Sequence, residues 1–180
     1  MCVWLSEVEG SAELLLRYMR KLFDRQGGAF ADFGDDDILQ MQKLARKVAY
    51  EGQRMRMFVR FQKAADGTFF APVSPVHNAL PLSLEYFRDR FADQRWLIYD
   101  TRRHYGYAYD LEEVREVTLD RDDDLIEGKL SDELMAEDEK QFQQMWRTHH
   151  NAMAIQERIN SPLQRQFMPC RYWNYFTEMQ

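Results

Sequence analysis

The sequence predicts an α+β domain. The expected core is a small, mainly antiparallel sheet made of two β-hairpins separated by a helix, packed against N- and C-terminal helices. Three observations carry this. Residues 54–62 alternate with period two, residues 68–119 read as strand, helix and further strands, and apolar side chains recur at helical spacing at both ends of the chain. A chain of 180 residues fits one domain and can bury roughly 70% of its unfolded surface. Its expected parts are a helical N-terminal region over 1–45, a sheet core over 46–119, an acidic loop over 120–133 and C-terminal helices over 134–180.

At the N-terminus, Ser6 and Glu9 form a capping-box pattern, and Leu15, Tyr18, Met19, Leu22 and Phe23 then recur at helical spacing. This first helix is expected to end near Gln26, stopped by Gly27-Gly28. Asp35, Asp36 and Asp37 supply an N-cap and favourable charge for a second helix. Its buried stripe is Ile38, Met41, Leu44, Ala45, Val48 and Ala49, and it carries Lys43, Arg46 and Lys47. Three adjacent aspartates could also attract a metal, but consecutive side chains at a helix start diverge, which favours capping.

Residues 54–62 are expected to form a half-buried strand, with Met55, Met57, Val59 and Phe61 on one face and Arg54, Arg56, Phe58, Arg60 and Gln62 on the other. A turn at Ala65-Asp66-Gly67 returns the chain as a strand from Thr68 to Val73, which Pro72 and Pro75 limit to an edge or a short ladder. A third helix with Leu84, Phe87 and Phe91 as its core side follows, then strands from Gln94 to Thr101 and from Tyr105 to Asp110. Residues 114–119 extend the sheet. Tyr105, Tyr107 and Tyr109 share one face of their strand.

After the acidic loop, a fourth helix is expected over 134–159, with Phe142, Met145, Trp146, His149, Met153 and Gln156 along one side. Short helical pieces follow over 163–167 and 169–178, whose Tyr172, Trp173 and Phe176 seal the base of the core.

The net charge of −6 conceals a segregation. Residues 1–40 carry 4 basic and 8 acidic groups, 41–109 carry 12 and 6, 110–140 carry 4 and 14, and 141–180 carry 4 and 2. A basic middle can attract phosphates within a Debye length of about 10 Å even in an acidic protein. Cys2 and Cys170 suggest neither a disulfide framework nor a metal site, which fits a cytoplasmic protein. No window approaches the length of a membrane span, and the N-terminus lacks an export-signal pattern.

Phosphate-loop, dinucleotide-binding, zinc-protease and nucleophile-elbow motifs are all absent. No cofactor and no metal are expected. Two constellations remain. Asp100 with Arg102 and Arg103, together with His77 and Asn78, could form an acid/base cleft on a phosphate-bearing substrate. The competing reading is that Asp100 neutralises a nearby arginine while His77 caps a helix. Alternatively, Arg54, Arg56, Arg60 and Arg103 with Phe58 could hold nucleic acid, the guanidinium groups tracking phosphates while rings stack on bases. Against that stands a plain solvated face.

Several blocks resemble one bacterial family of domains of unknown function assigned to DNA metabolism or DNA repair. They are Glu51–Arg54, Phe58-Val59-Arg60-Phe61, Asn78-Ala79-Leu80-Pro81-Leu82, Phe87 with Arg90-Phe91, Trp96-Leu97-Ile98-Tyr99-Asp100 followed by Arg103, Glu157-Arg158-Ile159-Asn160 with Leu163-Gln164, and Met168-Pro169-Cys170-Arg171-Tyr172-Trp173. Members are encoded beside a radical SAM protein of DNA modification or repair, and some are fused to a uracil-DNA-glycosylase-like domain. This chain departs from the pattern at Tyr86 and Gln53, where relatives often carry histidine, so the resemblance supplies no catalytic histidine at those places.

The resemblance implies an accessory protein of DNA repair or DNA metabolism, with DNA and a radical SAM protein as partners and no membrane. An enzyme using Asp100 on a nucleotide or damaged base is the alternative. A protein-interaction module, its arginines facing an acidic surface, is the other.

Overall fold

The computed structural model describes residues 3–24, 32, 34–119, 125–126, 129–131 and 134–179, with the side chains of Leu125, Ile126 and Lys129 excepted. The chain forms two compact units, Met1–Met57 with Pro75–Glu85 and Phe58–Ser74 with Tyr86–Gln180.

In the first unit a short 3-10 turn, Trp4–Ser6, precedes helix α1, Ser11–Asp24. Ser6 does not cap α1, because its Oγ accepts from the Val8 amide at 3.3 Å. Helix α2 runs over Asp36–Phe58. The three aspartates before and at its start act as the spacing predicted. Asp35 Oδ1 accepts from the Asp37 amide at 3.0 Å, and Lys21 reaches both Asp35 at 2.6 Å and Asp37 at 2.7 Å. Val3, Leu14, Tyr18, Ile38 and Met41 form the apolar cluster of this end. The expected Gly27-Gly28 stop lies outside the described residues.

The main correction concerns residues 54–62. The expected arginine strand is instead the last turns of α2, and only Gln62–Lys63 is extended, as β1. Met55 and Met57, assigned to one face by period two, part company: Met55 is 0% exposed and Met57 54%. The burial period is that of a helix, with Ile38, Met41, Val48, Gly52 and Met55 all buried. Glu, Gln, Arg and Met are good helix formers, and a stripe begun at Ile38 is extended more cheaply than a strand is nucleated. Phe58, expected among the arginines, is also buried.

In the second unit the sheet has the order β1-β2-β3-β4-β5. Strands β2, Phe69–Val73, β3, Trp96–Asp100, β4, Tyr105–Tyr109, and β5, Val114–Val117, follow the predicted positions. The class is α+β, with two hairpins separated by α3, Leu84–Arg90. Within it, β2 and β3 pair in parallel, with Phe70 opposite Leu97 and Ala71 opposite Ile98, while the other neighbours are antiparallel. Pro72 is tolerated inside the sheet because β1 covers β2 only at Phe69 and Phe70.

Strand β3 is central and nearly continuously buried, as its apolar run requires. Opposite Tyr99 stands Gly106, where a Cβ would lie 2.5 Å from the Ile98 carbonyl oxygen, so only glycine allows this pairing. Most of the acidic segment lies outside the described residues. Its described parts form a two-residue ladder, β6, Leu125–Ile126, with β7, Lys129–Leu130.

The fourth helix is shorter than its apolar pattern. Residues before it dock on the open edge of β1: Leu134 accepts from the Ala65 amide and the Ala136 amide donates to Lys63. Helix α4 therefore runs over Glu139–Met153, and α5 over Ser161–Phe167. Asn160 caps α5 by accepting from the Leu163 amide at 3.1 Å. Tyr172 and Phe176 seal the base as expected, packing on Phe58 at centroid distances of 5.3 and 5.9 Å.

Helix and strand make opposite demands at residues 55 and 57. Met55→Ala should cost about 2–5 kcal/mol in urea unfolding, while Met57→Ala should stay within about 0.5 kcal/mol. Equal losses would restore the strand.

Candidate functional site

Helix α2 places four of the basic groups of the middle segment on one side. At 3.6 residues per turn, Lys43, Arg46, Lys47, Tyr50, Arg54 and Met57 fall on the side opposite the buried stripe. Lys43, Arg46 and Lys47 are exposed, as is Tyr50 at 61%. Arg54 sits at the rim, reaching back to the carboxylate of Glu51 at 3.4 Å. From Lys43 to Arg54 the ridge spans about 16 Å. Glu51, the one acid of α2 beyond its first turn, is buried. A cleft of about 630 Å³ alongside the ridge shares Lys43 and Lys47 but also holds Glu9, Glu13 and Arg17. Its formal balance, three cations against two carboxylates, is only +1, so the ridge is the stronger anion surface.

Glu51 also organises the strap 75–83. Its Oε1 accepts from the Val76 amide at 2.9 Å, Ser83 Oγ donates to the Gly52 carbonyl at 3.0 Å, and Arg56 donates to the Leu82 carbonyl at 2.6 Å. His77 Nδ1 lies 2.9 Å from the Ser6 carbonyl oxygen, rather than capping the following helix. Sequence reasoning missed Glu51. Its helical spacing from Val48 and Met55 was the available signal, since a carboxylate on a buried stripe demands partners.

The predicted nucleic-acid residues are divided between the two units. Arg54 and Arg56 belong to the first unit; Phe58, Arg60 and Arg103 belong to the second. Arg60 lies over the Phe176 ring at 4.8 Å and reaches Glu178 at 3.4 Å. Phe58 is buried under Tyr172 and Phe176, so its ring presents no stacking surface. Asp100 and Arg103 form a pair at 2.7 Å, with side chains 0% and 11% exposed. Asp100 Oδ1 accepts in addition from the Arg102 and Arg103 amides at 2.9 and 3.2 Å. This carboxylate fixes the turn between β3 and β4. Among the strand tyrosines, Tyr109 is buried on Trp96. Tyr107 donates to Glu116, and burial with that bond pushes its hydroxyl up to about 12.

A second cleft, of about 380 Å³, is lined by Arg60, Phe61, Glu139, Phe142, Trp146 and Glu178 among others. Burial opposes ionisation of Glu178. Hydrogen bonds from its own backbone and from Trp146 at 3.0 Å, with the charge of Arg60, outweigh it and hold this carboxyl below its ordinary value. Among the described residues no group of three or more His, Cys, Asp or Glu could hold a metal ion, and no helix is long and apolar enough to cross a membrane.

Two consequences are measurable. Removing the charge in Asp100→Asn breaks this largely buried pair from one side and should cost about 3–5 kcal/mol in chemical denaturation; an unchanged midpoint would contradict the pairing. Glu178 has a lowered folded pKa, so its stabilisation is present above the ordinary carboxylate value and is lost as pH falls through the folded one. Between wild type and Glu178→Gln, the stability gap should therefore close below about pH 4.5. A gap independent of pH would contradict an ionised Glu178.

No characterised protein and no solved structure gives a significant match to this chain. One family model does match, over residues 9–178 of the 180. The chain belongs to the family described as a domain of unknown function, DUF4130.

Proposed function

We propose that this protein is an accessory factor of DNA repair or DNA metabolism that holds nucleic acid along the basic face of α2 and acts beside a radical SAM partner. The observation that carries the binding reading is the ridge of Lys43, Arg46, Lys47 and Arg54 with the exposed Tyr50 among them. Its length of about 16 Å matches about five nucleotide steps of one strand at 3.4 Å each. Cations would neutralise phosphates, and the tyrosine ring offers a base a stacking surface. The DNA-repair setting and the radical SAM partner rest on the resemblance of the sequence blocks.

The geometry gives less support to an Asp100 enzyme, because that carboxylate is buried and committed to Arg103 and two turn amides. A general base must be able to reach and exchange a substrate proton.

Fluorescence anisotropy with single-stranded and duplex oligonucleotides across a salt series tests the proposal. Lys43→Ala with Lys47→Ala should weaken binding at every sequence and flatten the log–log salt slope by about 1.4–2. Tyr50→Ala should cost about 1–3 kcal/mol on single strands and much less on duplex. Wild-type protein that binds neither form at low salt would overturn the proposal, and binding untouched by the lysine pair would move the site elsewhere.

A further inference from the structure

The cleft beside α4 has no part in the nucleic-acid reading, and its lining is chemically selective. It lies wholly within the second unit. Its volume of about 380 Å³ falls in the range of about 300–1,000 Å³ usual for small-ligand sites. Three rings form its apolar walls. Phe61 is half-buried and held edge-on by Phe87 and Phe91, while Phe142 and Trp146 are 52% and 46% exposed. Between them stand Arg60, Glu139, Gln143 and Glu178.

The bonds already made within this lining leave it with more acceptors than donors. Glu139 is buried; its Oε1 accepts from Gln143 at 2.9 Å and its Oε2 from the Lys63 amide at 3.1 Å. The Glu178 side chain is 10% exposed, with Oε1 reached by Arg60 at 3.4 Å and Oε2 accepting from the Trp146 indole at 3.0 Å. Each carboxylate thus receives two bonds from other side chains or amides, whereas an ionised carboxylate has about four lone-pair sites. Gln143 spends its amide nitrogen on Glu139 and on the Met135 sulfur, so its carbonyl oxygen is the group it offers. Arg60 lies over the Phe176 ring and is engaged with Glu178.

One guanidinium against two carboxylates gives the lining a formal balance of −1. Glu178 is held below its ordinary pKa, so it is charged at neutral pH. An anionic ligand would meet net like charge, and a neutral apolar one would bring no donor to two largely buried carboxylates. A cation on an apolar body satisfies both halves of the lining. Its N–H groups donate to the carboxylates, and its charge is attracted to the faces of the rings.

We propose that this cleft binds an organic cation, an ammonium or guanidinium group on a slender or flat apolar body, with Glu139 and Glu178 as its acceptors and Phe61, Phe142 and Trp146 around it. A free polyamine and the arginine or lysine side chain of a partner share this chemistry. The site does not rest on the α2 ridge, and oligonucleotide binding can fail without touching it.

The Trp146 indole N–H, bonded to Glu178, is the local probe. Its resonance, assigned by its loss in Trp146→Phe, is followed while the full chain is titrated with benzamidinium and with the neutral isostere benzamide. Benzamidinium should shift it saturably and bind at least about 10-fold more tightly than benzamide. No saturable shift at millimolar benzamidinium, or equal binding of the two probes, would overturn the proposal. By calorimetry, Glu178→Gln should weaken benzamidinium binding about 10-fold. Glu112→Gln, at an exposed acid outside the cleft, should leave it unchanged. Equal losses in both variants would reduce the attraction to overall charge and overturn the site. Should Glu178→Gln fail to fold, the comparison of the two probes on wild type still decides. Separate titrations with N-acetylarginine amide and with spermidine distinguish the sources: tighter binding of the first assigns a partner's side chain, and of the second a free polyamine.

Discussion

A carboxylate buried to 2% exposure must be bonded or it destabilises the fold, and Glu51 meets that demand from within α2. It accepts the Val76 amide and pairs with Arg54. Beside it Gly52 lets the strap approach closely, since a Cβ there would already lie 3.3 Å from Leu82 Cβ. The strap adds Ser83 on the Gly52 carbonyl, and Arg56 binds the Leu82 carbonyl. These contacts, with Val48 and Met55 buried on the same helix, fix which side of α2 faces inward. The opposite side, carrying Lys43, Arg46, Lys47 and Tyr50, must then face solvent. The basic ridge is thus a geometric consequence of how a buried acid is satisfied.

Where local rules acted alone, the sequence was legible. Asp35 caps α2, the turn at Gly67 closes a hairpin, and Gly67 adopts the positive φ of 83° that such a turn requires. The apolar run from Trp96 becomes the central strand, and Asp100 pairs with Arg103 as the structural reading expected. Tyr172 and Phe176 seal the base. Residues 54–62 were misread because strict alternation over nine residues is a valid strand pattern. Gly52, a costly residue in a helix interior, is nonetheless helical here. Its reason lies in Leu82, thirty residues on, which no local window contains.

The candidate site suffered the same limit. Arg54 and Arg56 could be named from sequence, and so could Lys43, Arg46 and Lys47, but not the fact that Arg56 serves a carbonyl while Lys43, Arg46 and Lys47 stand outward. For α4 the periodicity correctly grouped Phe142, Met145, Trp146, His149 and Met153. Periodicity identifies residues that share a face, but it says nothing about what that face meets. In the folded chain these side chains are exposed, with Trp146 also bonded to Glu178, and Glu139 occupies the buried position.

The central claim, that nucleic acid meets the outward ridge of α2, is tested most directly by following backbone amide resonances during titration with a short single-stranded oligonucleotide. The account predicts the largest shifts near Lys43, Arg46, Lys47, Tyr50 and Arg54, spaced by three and four residues along one helix. Shifts centred instead on the Arg102-Arg103 turn, or none along α2 at saturating oligonucleotide, would contradict it.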